Sequence, residues 1–233
     1  ARASLLDSAL HHPADMDAVA ALVESFAGDS AALAPALISL AEASPSDVSN
    51  IASAVLNVGR SVDEMLTALS PRPGIAPRLI ESAILARTGR LGEAANRLDK
   101  VADSILVPEI HAAWLSQRIG IAAELADAGS VDRLLPQLTA LAGEKLTSSR
   151  QVPLAAALLE VRKFEDAAAA IGALAPSEVT PKAAMLAAEP YGFSNPFNTS
   201  PGWVARYGDG ILNQINSAEM IARKWDLSRE AME

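Results

Sequence analysis

A glycine-led turn that recurs every thirty to forty residues constrains this chain most. Gly28-Asp29-Ser30 is echoed by Gly59-Arg60-Ser61, Gly89-Arg90-Leu91 and Gly129-Ser130-Val131, with a degenerate copy at Arg162-Lys163-Phe164. The spacings are 31, 30, 40 and 33 residues, the period expected when each unit is a helical hairpin that buries its apolar face against its neighbours. Between the turns, apolar residues step by three and four. Met16, Val19, Ala20, Leu22, Val23 and Phe26 form one stripe; Val48, Ile51, Ala52, Val55 and Leu56 form another. Leu79, Ile80, Ala83 and Ile84 repeat the pattern, as do Leu134, Leu135, Leu138 and Leu141. No β-branched run alternates with polar residues, and alanine and leucine favour helix. The expected fold class is all-α, an α-solenoid of helical hairpins; an irregular helical bundle is the alternative.

Capping signals fit this segmentation. Asp15 stands before a helix that closes near Gly28, Ser46 before one that closes near Gly59, and Ser61 with Glu64 forms a capping box. Pro71, Pro73 and Gly74 mark the sharpest internal break. Pro35, Pro77, Pro108 and Pro153 suit first-turn positions, where a missing amide hydrogen costs little. Pro136 suggests a helix that starts one turn later than its apolar pattern.

Gly89-Arg90-Leu91-Gly92-Glu93-Ala94 and Arg162-Lys163-Phe164-Glu165-Asp166-Ala167 each place a basic residue, an apolar residue, an acid and an alanine at a helix start. That phrase resembles the middle of a tetratricopeptide repeat, although most of that family's aromatic positions are absent. The resemblance implies a concave surface that binds a peptide or a partner helix. Arg87, Arg90, Arg97, Arg118 and Arg133 are the charged residues considered for such contacts, with Arg87, Arg90 and Arg118 foremost; solvated charge is the plainer reading of all five.

At Pro190 the composition changes. The last 44 residues hold six of the nine aromatic side chains, which divides the chain into a helical-repeat domain, 1–189, and an aromatic tail, 190–233. Asn195-Pro196-Phe197 and Ser200-Pro201-Gly202 read as turns presenting Phe197 and Trp203, which join the candidate partner-binding residues. A helix is expected from about Ile211 to Trp225, with Ser228 capping the start of another. Asn216-Ser217-Ala218-Glu219-Met220-Ile221-Ala222, Lys224-Trp225 and Leu227-Ser228-Arg229-Glu230 are similar to an internal segment of the thiolases, the acyl-CoA acyltransferases. In that family the segment belongs to the loop domain that shapes the acyl-CoA site. Family catalysis uses two cysteines and a histidine in a glycine-rich context. This chain has no cysteine and no histidine beyond His111, so the resemblance implies a thiolase partner or a joined thiolase segment rather than thiolase activity.

Composition bounds the remaining classes. Formal charge is −9, with four basic and five acidic residues in the tail against 19 and 28 in all. The acidic balance disfavours nucleic acid and anionic lipid surfaces. The absence of cysteine excludes disulfides, thiolate zinc sites and iron–sulfur clusters. No apolar stretch reaches the roughly 18–20 residues of a membrane span. His11 and His12 sit at a helix end without further ligand-spaced residues, His111 lies near Trp114, and Glu124 with Asp127 reads as a solvated carboxylate pair. No catalytic residue, metal site or cofactor is expected. The sequence therefore points to a non-catalytic interaction module with a protein or peptide partner, a thiolase among the possibilities. The alternative is a fragment of a thiolase-type assembly of fatty-acid or steroid side-chain β-oxidation. The cytoplasm is the expected compartment and the bacterial periplasm the alternative.

Overall fold

The structure is a computed structural model; it describes residues 2–12, 15–101, 107–175 and 177. Eleven α-helices occupy these residues, and no strand is found among them. They are α1 Arg2–His11, α2 Met16–Ser25, α3 Ser30–Ala43, α4 Val48–Asn57, α5 Val62–Leu69, α6 Ile75–Arg87, α7 Leu91–Asp99, α8 Pro108–Glu124, α9 Ala128–Glu144, α10 Ser148–Glu160 and α11 Phe164–Gly172. A single 3-10 turn, Pro45–Asp47, precedes α4. The helix expected over 211–225, together with Phe197 and Trp203, lies outside the described residues.

Local chemistry sets the helix ends. Asp15 Oδ1 accepts the Asp17 and Ala18 amides at 3.0 and 3.3 Å, which occupies donors that a helix start leaves free. Ser61 Oγ accepts the Glu64 amide at 3.4 Å. Ser46 lies inside the 3-10 turn, and Asp47 takes the position before α4.

The recurring turn is built from backbone geometry, and its register differs from the sequence expectation. Gly59, Gly89, Ala126 and Arg162 all adopt positive φ, at 75°, 77°, 56° and 60°. In each case the next amide bonds the carbonyl five residues back. These pairs are Arg60–Val55 at 3.2 Å, Arg90–Leu85 at 2.9 Å, Asp127–Ala122 at 2.8 Å and Lys163–Leu158 at 2.8 Å. This is the six-to-one bond of a Schellman ending, which satisfies a carbonyl the helix would leave exposed. Gly129, the expected marker, is the second residue of α9; the left-handed residue is Ala126. Asp127 explains the shift, because its carboxylate accepts the Ser130 amide at 3.0 Å and starts α9 before the glycine.

Prolines also depart from expectation. Pro108 opens α8 and Pro77 falls in the first turn of α6, but Pro35 and Pro153 are the sixth residues of α3 and α10. Pro136 is the ninth residue of α9, and the helix runs through it.

Helices α2, α4, α6, α8 and α10 pack each on the next, and α6, α8 and α10 each hold their following helix closely. Towards the N-terminus, α3 packs against α5 and α6. One continuous core runs from Ala9 to Leu174, with Leu22, Leu37, Ile51, Met65, Ile80, Ile84 and Leu98 fully buried. The sequence stripes supply it: Val19, Leu22 and Val23 face inward, as do Ile51, Ala52 and Val55. No helix among the described residues is long and apolar enough to cross a membrane.

Candidate functional site

The Schellman turns place equivalent residues at equivalent helix ends. Two positions before each left-handed residue, the helix closes on Asn57 in α4, Arg87 in α6, Glu124 in α8 and Glu160 in α10. The last three line one cleft of about 420 Å³. Its floor is made of small side chains, Ala83 and Ala86 on α6, Ala113 and Gly120 on α8, and Ala156 on α10. Pro45, Val48 and Ser49 bound the opposite side, because the 3-10 turn before α4 reaches across to touch both α8 and α10. Small residues at these steps leave the space open: a Cβ added at Gly120 would meet only Glu160 Cγ, at 3.6 Å.

Polar groups are placed unevenly around this opening. The Arg87 guanidinium donates to Ser49 Oγ at 2.8 Å and ties the end of α6 to the start of α4. Gln117 donates to the Leu79 carbonyl at 3.1 Å, which fixes α8 on α6 below the cleft. Glu124 is exposed and makes no hydrogen bond or ion pair among the described residues. Glu160 leans over Gly120, one helical turn before Glu124 on the same face of α8. Both carboxylates close a helix at its C-terminal end, where the helix dipole favours a cation. Arg87 follows that preference and the two glutamates oppose it.

Of the arginines singled out from sequence, only Arg87 reaches the cleft. Arg90 is half-buried and binds Glu93 through two hydrogen bonds of 2.8 and 2.7 Å, with Asp63 of α5 at 3.2 Å. The hydrogen bonds to Glu93 hold the Arg90 guanidinium above its ordinary pKa and the Glu93 carboxyl below its own. Arg118 is buried and donates to Asp99 at 2.9 Å. Arg97 lies 3.8 Å from Glu81, whose carboxylate is fully buried and also takes a 2.7 Å bond from Arg78. Arg133 is exposed on α9. The Arg90–Asp63, Arg97–Glu81 and Arg118–Asp99 contacts join neighbouring helices, whereas Arg90–Glu93 and Arg78–Glu81 are local i,i+3 pairs.

The carboxylates expected as one solvated pair have separate roles. Asp127 caps α9, and Glu124 stands at the cleft. Glu160 was not visible as a site residue, because the glycine register put the fourth turn at Gly129. Aligning on Ala126 and Arg162 instead brings Glu124 and Glu160 to the same step. His111 is tilted at 46° to Trp114 with ring centroids 6.0 Å apart, and burial lowers its pKa. Among the described residues no group of three histidines or acids converges. The cleft offers shape, a short apolar floor and two carboxylates at one end. This arrangement can hold a ligand; of the hydroxyls that line it, Ser49 meets the Arg87 guanidinium rather than a histidine or carboxylate base.

Comparison with known proteins adds one local likeness. Over 57 residues, 24% of this chain, the sequence is 46% identical to the steroid 3-ketoacyl-CoA thiolase FadA6 of Mycobacterium tuberculosis. The matched stretch covers 14% of that thiolase. No protein-family model matches the chain, and no solved structure matches it.

Proposed function

We propose that the helical array is a non-catalytic protein-interaction module whose cleft between α4, α6, α8 and α10 holds a segment of a protein partner. The observation that carries this reading is the cleft itself, floored by alanine and glycine where larger side chains would have filled it. A cleft of about 420 Å³ gives side chains of such a segment a place to enter. The repeated Schellman turns and the succession of α6 to α11 support a repeat-built, tetratricopeptide-like scaffold. The crossing of the 3-10 turn onto α8 and α10 departs from an open array.

Because the chain has no cysteine, a single introduced thiol reports on one place. Ala156→Cys, labelled with a benzophenone maleimide, should give protein adducts in extract of the source cells. The same label at Gln137→Cys, on exposed α9 surface, should not. Equal labelling from both positions would defeat the reading.

A second reading is favoured by the likeness to the thiolase: the chain is a fragment, or a joined segment, of a thiolase-type acyl-CoA assembly. These 233 residues contain no cysteine, so within such an assembly the nucleophile the family uses would come from outside them. Intact-mass measurement with peptide mapping across Leu186–Asn195 tests whether the two composition regions are one covalent chain. A spanning peptide is expected, and its absence would remove any role that depends on their being joined.

A further inference from the structure

We draw no further inference here: the strongest candidate, the cavity of about 490 Å³ between the start of α3 and α5, is lined mostly by exposed side chains and by Ser30, whose unpartnered hydroxyl oxygen is itself closed off from solvent, and nothing in the structure shows what covers it.

Discussion

Arg118 Nε donates to Asp99 Oδ1 at 2.9 Å and fastens the middle of α8 to the last residue of α7. The two partners are unequally placed: the arginine side chain is 8% exposed and the aspartate 51%. Removing the aspartate leaves a buried guanidinium with only the attraction of Asp127 among the described residues, whereas removing the arginine leaves a carboxylate that water can reach. Asp99→Ala should therefore lower stability by about 2 kcal/mol, below the loss for a fully buried pair because Asp99 is half exposed, and Arg118→Met by about 1 kcal/mol, because the methionine keeps the buried stem. Urea unfolding of the two variants checks the order; a larger loss for Arg118→Met would mean the ion pair is not what holds α7 to α8.

The equivalence of the four Schellman turns gives a second test. Ala126 and Arg162 hold positive φ with a Cβ in place, which costs roughly 1 kcal/mol each. Ala126→Gly and Arg162→Gly should each raise stability by about 0.5–1 kcal/mol. Gly89→Ala should lower it by about 1–2 kcal/mol, through backbone strain alone, since nothing lies within 4 Å of the added Cβ. Thermal unfolding of the three proteins is sufficient. If Ala126→Gly destabilises, the turn after α8 is not of the same kind as the turn after α6.

Helix content was legible in the sequence because the three- and four-residue apolar steps are dense. Val19, Leu22 and Val23, or Ile51, Ala52 and Val55, become core as their spacing requires. The turn register was less legible. Glycine signals a left-handed residue only statistically, and here alanine and arginine supply two of the four. That slip hid the common step of Glu124 and Glu160, and with it the acidic end of the cleft. Arginine alone gave no signal to separate Arg87 from Arg118: both are cations on helices, and only packing decides which one meets a neighbouring acid. The cleft depends on the 3-10 turn crossing to α8 and α10, a contact between distant segments that no local pattern encodes.

Pro136 marks another position where packing overrides local preference. It is exposed in the interior of α9, lacks the amide hydrogen that would bond the Asp132 carbonyl, and contributes little to the core. Pro136→Ala should raise stability by about 1–3 kcal/mol, the difference between proline and alanine inside a helix reduced by local relaxation. Circular dichroism melting checks it. A neutral or negative result would show that the proline itself is needed to seat α9 on α8.

Asp127 gives the pH dependence a direction. Hydrogen bonds from Ser130, its hydroxyl first and then its amide, hold the Asp127 carboxyl below its ordinary value of 3.8, with Arg118 and Arg133 adding attraction. A carboxyl whose folded pKa is depressed stabilises the fold fully above its unfolded value, and the contribution is lost as pH falls through the folded value. Asn caps a helix as well as Asp does but carries no charge. Wild type should therefore melt above Asp127→Asn at pH values higher than about 4, and the two curves should converge towards pH ~2. Melting temperatures measured between those limits test the linkage. A gap that stays constant across the range would show that the cap acts through geometry and that the charge of Asp127 contributes nothing to folding.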